Sequence, residues 1–146
     1  MKAVIQRVSH ASVQVDGQTI GAIEQGILAY IGLGHDDDMK IARRMIDKIL
    51  TYRLFENAAG KLDKNVQEVD GGLLLVSQFT LQAKTDKGRR PDFGPAMTPD
   101  AAQALFAELS AYASATYSKV AFGQFGANMQ VLANNDGPIN FILEVN

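Results

Sequence analysis

Residues 74–81 read Leu-Leu-Val-Ser-Gln-Phe-Thr-Leu, an apolar run that ends in a cluster of polar side chains. A short apolar run bounded by Gly71-Gly72 fits a strand, and its polar end is where such a strand would open onto a site. In a regular strand Ser77 and Phe79 would face one way and Gln78 and Thr80 the other, and a bend at the strand end would break that alternation. Hydroxyl and amide groups there, together with exposed backbone N–H groups, can form a polar pocket for an ester carbonyl or a developing oxyanion. A strand turning outward to solvent has the same local pattern.

Outward from this run, the rest of the chain supplies partners for a sheet. Ala3–Val8 and Ser12–Val15 read as short strands, and Asp16-Gly17 followed by Ile20–Ile23 has the chemistry of a hairpin. Gly26–Gly34 (GILAYIGLG) suits a central buried strand. Asp36-Asp37-Asp38 then places acids at a helix N-terminus. Ile41, Met45 and Ile49, with Ala42, Ile46 and Leu50, follow at helical spacing. Thr98-Pro99-Asp100 opens a second helix, with Leu105, Phe106, Leu109 and Tyr112 as its apolar stripe. Residues 129–132 and 139–145 read as strands joined by an Asn135-Asp136-Gly137-Pro138 hairpin turn. About seven strands and two main helices sharing one core make the expected class α+β (mixed α/β), a single domain over residues 1–146.

Composition narrows the chemistry. A chain of 146 residues can bury about 68–70% of its unfolded surface, enough for a core. Without cysteine, disulfides, thiolate catalysis and cysteine-ligated metals are excluded. The N-terminal segment breaks its apolar residues with Gln6, Arg7 and His10, and no apolar stretch reaches membrane-spanning length. The expectation is therefore a soluble cytoplasmic protein with no membrane contact. Fourteen basic against sixteen acidic residues give a net charge of −2, so a polyanion could be held only by a local patch.

A threonine or serine nucleophile needs a base, and the only histidines, His10 and His35, read as a strand-end and a loop residue outside any triad motif. Three consecutive acids point in different directions and fit helix capping better than metal ligation, so no metal is expected. Lys84, Lys87, Arg89 and Arg90 lie in a loop with Gly88, Pro91, Gly94 and Pro95 that could close over a site. Local pattern leaves open whether its cations meet phosphates or solvent. At Gly137-Pro138 the glycine permits unusual backbone angles and the proline removes a donor. Most X–Pro bonds are trans, and a cis bond is possible here.

On these residues the chain resembles the D-aminoacyl-tRNA deacylases, homodimeric editing enzymes marked by an SQFTL motif, here Ser77–Leu81, and an NxGP motif, here Asn135–Pro138. The likeness runs in order from IQRVSHASV through LLLVSQFTL and KGRRP to FGANMQV and NDGP. It implies a strongly curved, barrel-like sheet flanked by two helices, and hydrolysis of the ester joining a D-amino acid to the terminal ribose of tRNA. Glycyl-tRNA, including tRNA-Ala mischarged with glycine, is implied as a further substrate. Ser77, Gln78, Phe79 and Thr80 would form the catalytic segment that binds adenosine and ester. Gly137-Pro138, in the motif begun by Asn135, would form a cis turn inserted into the partner subunit's site to exclude an L side chain. Arg7 would brace that turn and Met129 would border the pocket. The 2′-hydroxyl of the tRNA's terminal adenosine, not a protein base, would activate water, and no cofactor is implied.

Two positions depart from the family pattern. Asn140 stands where threonine is usual, which changes the contacts behind the turn, and Leu62–Asn65 is looser than usual. Two other readings fit parts of the sequence: a tRNA-binding module without turnover, and an esterase with Thr80 as nucleophile.

Overall fold

The computed structural model describes residues 1–146. Strand β1 (Lys2–Val15) is the hub of the sheet. Along one edge its first half pairs antiparallel with β3 (Gly26–Gly32) and its second half with β2 (Gln18–Ile23). Along the other edge nearly its full length pairs antiparallel with β8 (Gln130–Glu144). The sheet continues from β3 through β6 (Gly72–Ser77) to β7 (Val120–Phe122), both added in parallel. Parallel neighbours require crossovers, and the two helices provide them: α1 (Met39–Thr51) between β3 and β6, and α2 (Pro99–Thr116) between β6 and β7. A small ribbon, β4 (Phe55–Glu56) with β5 (Leu62–Lys64), lies between α1 and β6 and contains the loosely matching Leu62 segment.

The sheet curls until its two ends meet. Gly21 of β2 packs on the backbone of β7 so closely that a Cβ would have no room against the Phe122 carbonyl. This produces the nearly closed barrel-like sheet of the expected α+β class. Inside the barrel sit Val8, Ala11, Val13, Leu28, Leu74 and Val76. Outside it a larger core forms between the sheet and the helices, with Ile5, Ile27, Leu73 and Leu75 against Met45, Ile46, Ile49 and Leu109. The apolar run of β6 is therefore buried on both faces, with alternate leucines serving alternate cores.

Three expectations require correction. The two short N-terminal strands are one continuous strand, because an irregularity between Val8 and His10 lets the chain change facing without leaving the ladder. It reverses the in–out parity, so Ala11 and Val13 face the barrel interior with Val8. The C-terminal hairpin is likewise a single strand, β8, and Asn135–Pro138 is a bulge within it. The three aspartates divide their work. Asp38 caps α1 by accepting from the Ile41 N–H at 2.8 Å. Asp37 instead accepts from the Met1 ammonium and the Gly34 N–H, each at 2.6 Å. Its side chain is buried, so the ion pair ties the start of β1 to the end of β3. Thr98 stands at the N-cap of α2 without a side-chain hydrogen bond, and Pro99 opens the helix as expected. No helix is long and apolar enough to cross a membrane.

Gly26 and Gly72 face each other across β3 and β6, and a Cβ on Gly26 would fall 1.9 Å from the Gly72 carbonyl oxygen. Gly26→Ala should cost about 3 kcal/mol or more through backbone displacement. Gly60→Ala, at a positive φ with open space around it, should cost only about 1 kcal/mol. Urea denaturation of both variants checks the difference.

Candidate active site

At the C-terminal end of β6 the chain surrounds a cavity of about 640 Å³. The strand stops at Ser77, and Phe79–Gln82 form a single 3₁₀ turn. A turn of three residues per revolution replaces the two-residue alternation of the strand. Ser77, Gln78 and Phe79 consequently all line the cavity, and Thr80 does not. The Thr80 hydroxyl instead accepts a hydrogen bond from the Gln78 side-chain amide at 2.6 Å. Leu81 and Ala83 bond back to Gln78 and Thr80 within the turn. The amides of Phe79 and Thr80 precede the first carbonyl the turn can offer them.

The turn is held against the end of β3. The Gln78 N–H donates to the Ile31 carbonyl at 2.8 Å. The buried Gln82 amide donates to the Gly32 carbonyl at 2.7 Å. Gly32 is required by the close approach, since a Cβ there would lie 2.8 Å from Leu81 Cβ. The remaining wall comes from Tyr30, from Met129 and the segment before it at Phe125–Ala127, and from Phe93 and Ala96–Pro99. The second half of the basic loop thus borders the cavity, as the sequence suggested for a loop closing over a site. Its Phe93 packs on Phe79 with ring centroids 5.0 Å apart.

Most of the lining is apolar, with Ser77, Gln78, Tyr30 and Thr98 as polar exceptions. Tyr30 is the one lining residue that can titrate, and burial pushes its phenol above the usual tyrosine value. His35 borders a separate, polar depression with Asp36 and Lys84, and His10 is an exposed strand residue that approaches Ser9. Neither histidine lines the cavity.

The second motif lies elsewhere in the same chain. Between the pairs Gln6–Asn140 and Val8–Asn135, a single β1 residue, Arg7, faces four β8 residues, Asp136–Ile139. Arg7 is buried, and its guanidinium donates to the Asp136 carbonyl through Nε and to the Leu54 carbonyl through Nη1, both at 3.2 Å. The Asp136 and Glu56 carboxylates approach it at 3.4 and 3.8 Å, but both are more than half exposed, so solvent screens them. Asn135 closes the bulge from the other side, donating to the Arg7 and Ile139 carbonyls at 2.9 and 3.2 Å. Arg7 and Asn135 therefore make the bracing contacts, whereas Asn140 makes no side-chain hydrogen bond. The Gly137-Pro138 bond is cis, Gly137 has φ +127°, and both residues are exposed.

The structure brings Ser77, Gln78, Phe79 and Met129 together, and separately brings Arg7, Asn135, Gly137 and Pro138 together. It does not join the two groups. Ser77 is level with Ile31 and through it with Ala3 of β1. The bulge faces Arg7, four residues along, about 13 Å at the rise of a strand. Tyr30, Phe93, Phe125 and Thr98 are lining residues that were not singled out from sequence. Only the aromatic placement of Phe93 beside a glycine- and proline-rich loop offered a local signal.

Comparison with known proteins identifies the family. A profile for D-Tyr-tRNA(Tyr) deacylase matches residues 4–144. The chain is 72% identical to a D-aminoacyl-tRNA deacylase of Psychrobacter arcticus and 52% identical to one of Acinetobacter baumannii, in each case over 99% of both chains. Among solved structures, a c-Myc DNA Unwinding Element Binding Protein superposes with a TM-score of 0.94 at 42% identity, covering 99% of this chain and 98% of the other. A probable eukaryotic D-amino acid tRNA deacylase shares the fold, with a TM-score of 0.85 at 16% identity over 97% of each chain. The chain belongs to the D-Tyr-tRNA(Tyr) deacylase family. The family resemblance, and the hydrolase class it implies, are both met.

Arg7→Met keeps most of the buried volume and leaves the Leu54 and Asp136 carbonyls without their donor. The variant should lose about 2–4 kcal/mol of stability, measurable by urea denaturation. Arg7→Lys, a point donor in place of a fork, should recover only part of it.

Proposed function

We propose that this protein hydrolyses the ester linking a D-amino acid to the 3′-terminal adenosine of tRNA, releasing free amino acid and reusable tRNA. The cavity at the end of β6 takes the adenosine and the aminoacyl group. Its apolar walls and the exposed Phe79 ring suit a base and an amino-acid side chain. Ser77, Gln78 and the Phe79 amide orient the ester and meet the negative charge that develops on its oxygen.

One observation carries the mechanistic part of this reading: the only titratable side chain lining the cavity is a tyrosine, a weak acid whose phenol burial pushes further above its usual value. A side-chain base for deprotonating water or Thr80 is not built into the wall. The 2′-hydroxyl vicinal to the ester is the group on the substrate that can orient and activate the attacking water. The Thr80 hydroxyl, engaged with Gln78 and outside the cavity, assists by fixing Gln78 and does not attack.

Chirality is enforced by a second copy of the chain. The Gly137-Pro138 bulge is rigidly braced from within, exposed, and distant from its own cavity, so in a homodimer it enters the cavity of the partner. There its carbonyls hold the substrate's amino group, and its bulk occupies the space an L side chain would need. Glycine carries no side chain to exclude, so glycyl-tRNA, including tRNA-Ala mischarged with glycine, is a substrate as well. The work belongs in the cytoplasm, where aminoacyl-tRNA is used.

D-tyrosyl-tRNA should release D-tyrosine well above its spontaneous rate, while L-tyrosyl-tRNA should not. A tRNA protected or bound without release would favour a binding module instead. A tRNA ending in 2′-deoxyadenosine should bind but lose at least a hundredfold in turnover. Full activity on it, with abolition by Thr80→Ala, would favour a threonine esterase.

Because Tyr30 ionises only above the usual tyrosine value near pH 10, it stays neutral throughout pH 6–9. Single-turnover rates in that range should therefore lack the inflection near pH 6.5 that a histidine base would impose. Gly137→Ala should lower D-substrate turnover at least tenfold and weaken rejection of the L-form. Its methyl would meet Ile139 Cγ1 at 2.8 Å and the Ile139 nitrogen at 3.0 Å, at a φ that L-residues rarely adopt.

A further inference from the structure

Residues 84–92 form a small projecting loop closed at its base by two backbone hydrogen bonds between Lys84 and Asp92, at 2.8 and 3.2 Å. All nine residues are exposed. The loop holds four of the chain's fourteen cations and two of its sixteen acids, leaving ten cations against fourteen acids elsewhere. It is thus a basic island on an otherwise acidic protein.

Seven of the ten cations outside the loop have partners within the chain, and Lys40, Lys61 and Lys64 are scattered singly. Lys2, Arg7, Arg53 and Lys119 pair with acids. Arg44 and Lys48 donate to backbone carbonyls, and Arg43 lies over the Tyr112 ring. Lys87, Arg89 and Arg90 make no salt bridge or hydrogen bond within the chain. Of the loop's two acids, Asp92 is occupied in accepting from the Gly94 N–H at 2.9 Å.

The position of this island matters more than its charge. Phe93, adjoining its base, packs on Phe79, and the chain runs directly on into the cavity wall at Ala96–Pro99. The loop that carries the three cations is thus joined directly to the wall of a cavity whose own lining contains no cation. A nucleotide seated in that cavity finds apolar walls and amides, and the phosphates behind it are left for a group at the rim.

We infer that Lys87, Arg89 and Arg90 bind the phosphate backbone of the tRNA strand that leads into the cavity. This rests on the tRNA-hydrolase reading above and adds the means by which the RNA beyond its last nucleotide is held. Four residues span at most about 13 Å, and a stacked strand carries one phosphate per about 3.4 Å of axis. Three cations within that span can each meet one of three successive phosphates, which occupy about 7 Å of axis. Backbone contacts carry no base information, so the loop raises affinity equally for tRNAs of different sequence.

The test compares wild type with Lys87→Gln/Arg89→Gln/Arg90→Gln on D-tyrosyl-tRNA and on D-tyrosyl-adenosine, which lacks the phosphates. The variant should show a KM for the tRNA raised at least tenfold, with kcat retained and D-tyrosyl-adenosine turned over at the wild-type rate. Binding of uncharged tRNA should weaken to the same extent, and the slope of log affinity against log salt should become shallower by about two. Unchanged KM, affinity and salt slope would show the loop to be a solvated face and overturn the inference. Equal losses on both substrates would also overturn it, by showing that the loop acts through the cavity. Wild type inert on both substrates would refute the hydrolase reading, and uncharged-tRNA binding by the two proteins would still decide the role of the loop.

Discussion

The structure depends on the double pairing of β1, which is hydrogen-bonded along both edges and so fixes where every other strand can lie. One edge aligns β3 and, through it, β6 and the cavity. The other aligns β8 and, at Arg7, forces four residues into the space of one. A buried guanidinium is costly to desolvate, and it is tolerated here because backbone carbonyls from Leu54 and Asp136 accept its hydrogen bonds. Cavity and bulge are therefore two outputs of one strand, held at a constant separation by a rigid ladder. Neither can move toward the other without breaking the sheet.

That constraint explains how a small chain can host demanding chemistry with few chemical groups of its own. The cavity supplies shape, apolar walls and a few neutral polar side chains. Reactive hydroxyl and carbonyl both come with the substrate in the proposed mechanism. Catalysis of this kind relies on positioning and on donors already aimed at developing charge, neither of which requires a titrating side chain. The arrangement also suits selectivity by exclusion, because a braced bulge tolerates no larger group and needs no favourable contact to reject one.

Much of this was legible in the sequence, and the exceptions share a physical cause. The helix faces of α1 and α2, the buried β6 run and the polar residues at its end follow from local periodicity and composition. The alternation at Ser77–Thr80 failed because the strand becomes a 3₁₀ turn. Its position is set by Gly32 and Gln82, contacts made across the fold and invisible in the motif itself. Asn135–Pro138 has the composition of a hairpin turn, and only its register against Arg7, about 130 residues earlier, makes it a bulge in a continuous strand. Asp37 is indistinguishable from its neighbours in sequence, and only the fold sets the Met1 ammonium beside it. Long-range partners decide each of these, and no window of sequence contains them.

The central claim, that each site is completed by the bulge of a second chain, is tested most directly by mixing two defective proteins. One carries Gly137→Ala, which damages the bulge, and the other Phe79→Ala, which damages the cavity. Each alone should be nearly inactive on D-tyrosyl-tRNA. After subunit exchange, heterodimers pair an intact bulge with an intact cavity at one of their two sites, so about a quarter of wild-type activity should return. No recovery in a mixture shown to contain heterodimers would contradict the account, because it would mean that bulge and cavity serve the reaction within a single chain.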